Sequence, residues 1–77
     1  MSRRLSALRP GEVIAALEKA GWRIHRQRGS HVILHKVGSH NIVVVPLHTA
    51  GLPKGTLHGI LADAGLSGEE FIELLRN

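Results

Sequence analysis

Histidine is the most conspicuous chemical group in this chain: His25, His31, His35, His40, His48 and His58 give six imidazoles in 77 residues. Neutral imidazole is both a common metal ligand and the side chain best suited to moving a proton near neutral pH. Spacing argues between these uses for His31 and His35. They bracket Val32, Ile33 and Leu34, a run that favours a strand. Four residues at about 3.3 Å each then set the pair roughly 13 Å apart along one face. That is too far to share one ion whose bonds to nitrogen are about 2 Å. The spacing therefore predicts no metal site, and nothing implies a cofactor. The sequence holds no cysteine and no Gly-x-Ser-x-Gly elbow, which excludes a disulfide, a thiolate zinc site, a thiol nucleophile and a hydrolase of the elbow type.

What remains for catalysis is a histidine acting as acid or base, backed by arginine or lysine. RNA is a substrate for which that is enough. It carries its own nucleophile in the 2′-hydroxyl, so a protein need only take that proton, neutralise the phosphate and help the 5′-oxygen leave. One well-placed imidazole contributes about 10² to 10⁴ in rate by such transfer. His31 has the right neighbours. Gly29 and Ser30 free the backbone to approach a phosphate just before the strand opens, and Arg26 and Arg28 precede them. From this turn alone, a solvated turn histidine is the competing reading.

Arg26, Arg28 and Lys36 are read as a phosphate track, against the plain alternative of a solvated sheet edge. Lys54, near the start of a helix, is either a phosphate contact beside the helix dipole or surface. His48, just beyond Pro46, is either a second acid or base or a turn histidine fixing its loop. His25, His35, His40 and His58 are read as surface or packing residues, and Trp22 as core.

The charge balance supports an anionic partner. The formal net charge is +4, and seven of the ten cations are arginine, whose planar fork suits phosphate. Arg23, Arg26 and Arg28 cluster. Trp22 and Phe71 are the whole aromatic set, which weighs against binders that stack successive bases on rings. No apolar stretch long enough for a signal peptide or a membrane span follows Arg3 and Arg4, so the expectation is a cytoplasmic protein that does not engage a membrane.

The elements that must position these groups are legible from periodicity. Val13, Ala16, Leu17 and Ala20 recur at i, i+3, i+4 and i+7, which predicts a helix over 10–20 with Pro10 at its first position and Gly21 as its stop. From Trp22 the period drops to 2, as in a half-buried strand. Gly29 and Ser30 interrupt it, 31–36 forms a second strand, 37–40 a turn, and 41–45 a third strand closed by Pro46. Ile42 to Val45 are apolar on both faces, so the second face of the sheet is expected to be covered by a loop, a second copy or another protein. Leu52-Pro53-Lys54-Gly55 reads as a loop into a helix with Leu57, Ile60, Leu61 and Ala64 on one stripe and Gly65 at its end. Ser67 and Glu70 form a capping box for a short last helix carrying Phe71, Leu74 and Leu75. The order α-β-β-β-α-α makes an α+β domain spanning 1–77, with helices on one face of a three-stranded antiparallel sheet. This is the layout of the double-stranded-RNA-binding domain.

The residues also resemble the HicA toxin family over most of the chain. The matching stretches are Gly11-Glu12-Val13-Ile14 with Leu17-Glu18-Lys19-Ala20-Gly21, then Arg26-Gln27-Arg28-Gly29-Ser30-His31, then Val45-Pro46-Leu47-His48. Gly55-Thr56-Leu57, Ile60-Leu61 and Ala64-Gly65-Leu66-Ser67 complete the series. The resemblance implies an endoribonuclease that cuts messenger RNA and arrests translation, held inactive in a hetero-oligomer by a HicB-type antitoxin. It also implies that the histidine of the Gly-Ser-His stretch, His31, carries catalysis. The alternative from another class is a non-catalytic module that binds double-stranded RNA by shape. Such a module carries several lysines at the start of its last major helix, where this chain has only Lys54.

Overall fold

The computed structural model describes residues 8–77; Arg3 and Arg4 lie outside them. The order is α1 (Pro10–Lys19), β1 (Arg23–Arg28), β2 (His31–His35), β3 (Val43–Pro46), α2 (Lys54–Ala64) and α3 (Gly68–Arg76). The strands form an antiparallel meander in the order β1-β2-β3. The helices lie on one side of it, as the α-β-β-β-α pattern with an extra C-terminal helix predicts.

Local chemistry sets the ends of each helix. Pro10 occupies the first turn of α1, where its missing N–H is no loss. Arg9 offers no side-chain cap, and the Glu12 carboxylate instead accepts from the Arg9 N–H at 3.1 Å. At the other end Trp22 N–H donates to Leu17 O and Gly21 N–H to Glu18 O, a closure that needs the left-handed φ of +100° at Gly21. The Arg23 guanidinium adds a bond to Glu18 O at 2.8 Å, near the negative end of the helix. Helix α2 ends with the same pair of closing bonds. It begins at Lys54, so Lys54 and Gly55 belong to its first turn and not to the loop before it. Ser67 and Glu70 form the expected capping box of α3, with Ser67 Oγ accepting from Glu70 N–H at 3.0 Å.

The core lies between the helices and the inner face of β2 and β3. Val32 and Leu34 from β2 meet Val43 and Val45 from β3, covered by Val13 and Leu17 of α1, Leu57, Ile60 and Leu61 of α2, and Phe71 of α3. Lys19 Nζ donates to Leu74 O at 3.0 Å and pins the end of α1 to α3. Trp22 is buried at the mouth of β1, as expected, but Nε1 has no hydrogen-bond partner.

Strand β1 departs from the half-buried pattern. Every residue in it is exposed, Ile24 by 51%. Two physical reasons combine. The helices cover β2 and β3 and leave this edge strand beyond their reach, and a β-bulge interrupts the alternation. Ile24 pairs with Leu34 and Arg26 with Ile33, which leaves His25 as the extra residue.

Candidate functional site on the open sheet face

The strand pairings determine which side chains share the face opposite the helices. Facing residues in an antiparallel ladder point the same way. Val32, Leu34, Val43 and Val45 point into the core, so the rows Arg28–His31–Pro46 and Arg26–Ile33–Val44 lie on the open face. The bulge adds His25 to that face beside Arg26. Its ring stacks on His35 across the strands, with centroids 4.0 Å apart and planes 7° from parallel.

His31 owes its place to the hairpin between β1 and β2. Arg28 and His31 are the last paired residues, leaving Gly29 and Ser30 as a two-residue loop. Gly29 has φ +57° and no non-glycine residue among those described has a positive φ. Positive φ at the first loop position only is the pattern of a type II′ turn, whose twist matches the strands it joins. The Gln27 side-chain amide donates to Gly29 O at 2.9 Å and holds the turn. A Cβ placed on Gly29 would meet no atom within 4 Å, so the space above the turn is open.

A second histidine converges on the first. Leu47 N–H donates to Ser30 O at 2.6 Å, which continues the ladder past Pro46. One further step carries His48 opposite Gly29, on the face of His31. The two rings lie 5.9 Å apart between centroids and are tilted by 56°. His48 Nδ1 is 3.4 Å from Ser30 Oγ. Both histidines are exposed.

The remaining candidates separate into near and far. Arg28 lies opposite His31, and Arg26 lies two positions further along the same strand and face. Among the described residues neither guanidinium has a hydrogen bond or ion pair, so both are free to meet an anion. Arg23 is committed to the end of α1. Lys36 lies beyond the other end of β2, with its stem 3.3 Å from where a Cβ on Gly21 would sit, in an open groove with Trp22, His40 and Asn41. It is not brought to His31. Lys54 opens α2, whose far end is tied to Asn41 through Asp63 O. The start of α2 therefore lies toward the Pro46 end of the sheet, in the helical layer.

The electrostatics follow from how charge is distributed along the chain. All six carboxylates, Glu12, Glu18, Asp63, Glu69, Glu70 and Glu73, belong to helices. No acid occurs between Glu18 and Asp63, so the strands and their turns carry cations and histidines alone. That acid-free stretch is the sequence signal that marks the sheet and its turns as the basic side of the domain. The same face also has an apolar centre, with Ile33 half-buried, Val44 37% exposed and Ile42 48% exposed. Among the described residues no three His, Cys, Asp or Glu side chains gather closely enough to hold a metal ion, and no helix is long and apolar enough to cross a membrane.

Fold and site together define a small basic α+β domain with a solvent-open, histidine-bearing sheet. The family model for the HicA toxin of bacterial toxin-antitoxin systems matches residues 11–66, from the first turn of α1 to the residue after the closure of α2. The chain belongs to that family: it is a toxin of the toxin-antitoxin type, and membership implies a cognate antitoxin as its partner. No curated protein matches the chain.

Proposed function

We propose that this toxin is an endoribonuclease that cuts messenger RNA without a metal ion, using the RNA's own 2′-hydroxyl as nucleophile and His31 for proton transfer. The observation that carries this reading is the row Arg28–His31–Pro46 at the open end of the sheet. It offers an exposed imidazole next to an unpaired guanidinium, beside a glycine turn with free space above it. In this reaction the O2′–P bond forms as the P–O5′ bond breaks. A proton leaves O2′ and another reaches O5′, giving a 2′,3′-cyclic phosphate and a 5′-hydroxyl. Arg28 neutralises the charge that grows on the phosphoryl oxygens, and Arg26 holds the adjoining backbone.

A HicB-type antitoxin neutralises the toxin by covering this face in the cytoplasm. The apolar centre at Ile33 and Val44 with its basic rim has the anatomy of a protein interface, and opposite charge on the partner speeds association. The test is incubation of the purified protein with a structured messenger RNA in EDTA, beside a His31→Ala variant and an all-2′-deoxy copy of the substrate. Cutting of the RNA alone, lost in His31→Ala, is the expected result. Cutting that survives His31→Ala removes the residue assignment, and cutting of the deoxy copy removes the nucleophile. Retained binding without any cutting favours a non-catalytic RNA-binding module.

A further inference from the structure

We infer that His48 is the second proton carrier of this site and that Ser30 orients it, an inference that rests on the nuclease reading above. Cleavage through a 2′-hydroxyl moves two protons, one off the attacking oxygen and one onto the leaving oxygen. A single imidazole at His31 stands beside one of them. Among the described residues, His48 is the titratable side chain in ring contact with His31, at 5.9 Å between centroids. Rings that are tilted and not stacked can each turn one nitrogen toward a shared space beside the pair, where hydrogen bonds of about 2.6–3.2 Å reach the two oxygens flanking a phosphorus. The observed tilt is 56°. By contrast His25 and His35 face each other at 4.0 Å in near-parallel planes, which leaves no room between them for a phosphoryl group.

The contact with Ser30 selects the working nitrogen. Nδ1 of His48 faces Ser30 Oγ at 3.4 Å, and Nε2 has no partner among the described residues. For Nε2 to accept a proton it must hold a lone pair, which requires the proton on Nδ1. For Nε2 to donate, the ring must be an imidazolium with protons on both nitrogens. In either role Nδ1–H donates to Ser30 Oγ. The hydroxyl is thus the acceptor that fixes ring orientation, and it sits in the same two-residue turn that places His31. The turn and both imidazoles form one unit: Leu47 N–H on Ser30 O ties the β3 exit to this turn, so His31 and His48 keep their separation. The cleavage balances: one ring gains the O2′ proton as the other loses a proton to O5′, and proton exchange with water then returns each ring to its starting state.

The experiment measures single-turnover cleavage of one RNA across a range of pH by the wild type, His31→Ala, His48→Ala and His58→Ala. Each is assayed on the ordinary linkage and on one whose bridging 5′-oxygen is replaced by sulfur, a leaving group that needs no proton. Two histidines working in opposite directions give the wild type a rate that falls on both sides of an optimum. His48→Ala is expected to lose about 10²- to 10⁴-fold and one limb of that profile, while His58→Ala, an exposed histidine of α2, matches the wild type. The sulfur linkage restores one of His31→Ala and His48→Ala and not the other. Ser30→Ala loses less than about tenfold, and Ser30→Thr, which keeps the hydroxyl, recovers it. A His48→Ala protein that cuts at the wild-type rate, keeps both limbs, or shares its response to sulfur with His31→Ala overturns the inference. When His31→Ala is dead and His48→Ala is fully active, only the role of His48 falls. When the wild type does not cut, the nuclease reading falls and takes this inference with it.

Discussion

Removing single cations from the sheet tests whether the phosphate path runs where the strand register puts it. Arg28 faces His31 directly, with Cα atoms separated by about 4.5–5.5 Å as in any antiparallel pair. Arg26 is two residues further along, about 6.6 Å at 3.3 Å per residue. Lys36 is five residues from His31, about 16 Å along the strand by the same measure, and its stem lies over Gly21. A charge-assisted hydrogen bond contributes about 1.5–3 kcal/mol, and each 1.36 kcal/mol is about tenfold in rate. Arg28→Ala should therefore lower kcat/KM by roughly 10- to 150-fold, chiefly through kcat, because the nuclease reading puts its contact on the reacting phosphate. Arg26→Ala should act chiefly on KM. Lys36→Ala should stay within about twofold, since a charge more than a Debye length of about 8–10 Å away is largely screened.

The assay is steady-state cleavage of a short single-stranded RNA, repeated at rising salt. Each phosphate contact contributes about 0.7 to the slope of log affinity against log salt for a single strand. Arg26→Ala and Arg28→Ala should each flatten that slope by about this amount, whereas Lys36→Ala should leave it unchanged. All three residues are exposed, so melting temperatures should agree with the wild type. If Lys36→Ala costs as much as Arg28→Ala, or if Arg28→Ala cuts normally, the register-based path is wrong.

Three further outcomes bear on the scaffold and the partner. Phe71 is fully buried between α3 and the rest of the core, and Phe71→Ala should destabilise the fold by about 3–5 kcal/mol in urea unfolding. Ser67→Ala removes the Oγ that accepts from Glu70 N–H and should cost about 0.5–2 kcal/mol by the same measurement. Val44→Lys puts a charge in the apolar centre of the open face, where the native side chain is 37% exposed. It should weaken binding of the cognate antitoxin at least tenfold in calorimetry while leaving the urea midpoint within error, and intact antitoxin binding would show that the partner uses another face.

Much of this architecture is readable from the residues because periodicity and end signals agree. The stripe Val13–Ala16–Leu17, the Gly21 stop, the Ser67–Glu70 capping box and the Gly65 closure all appear where the sequence predicts them. Strand ends are less legible. β3 starts at Val43 and includes Pro46, and β2 stops at His35, because strand boundaries are set by ladder partners and not by propensity. The distance of Lys36 from His31 has a related cause. Proximity in sequence along one strand is not proximity in space, and five residues of extended chain carry Lys36 to the opposite end.

The bulge at His25 is the feature that periodicity alone misreads, and it does most to shape the face. Strict alternation would put one residue between Ile24 and the next inward position; the insertion puts two on the open side and brings His25 beside Arg26. No glycine marks it, so composition offers no cue. Its effect is to set an imidazole beside a guanidinium on a strand whose nearest acids in sequence, Glu18 and Asp63, are held on helices. Cations gathered on one face repel each other, and a bound polyanion or acidic partner relieves that repulsion. On the nuclease reading, an open basic sheet with one glycine turn and two converging imidazoles acts on a substrate far larger than the domain that carries it. The same openness leaves His31 and His48 exposed, and on that reading a protein that covers one sheet face silences them.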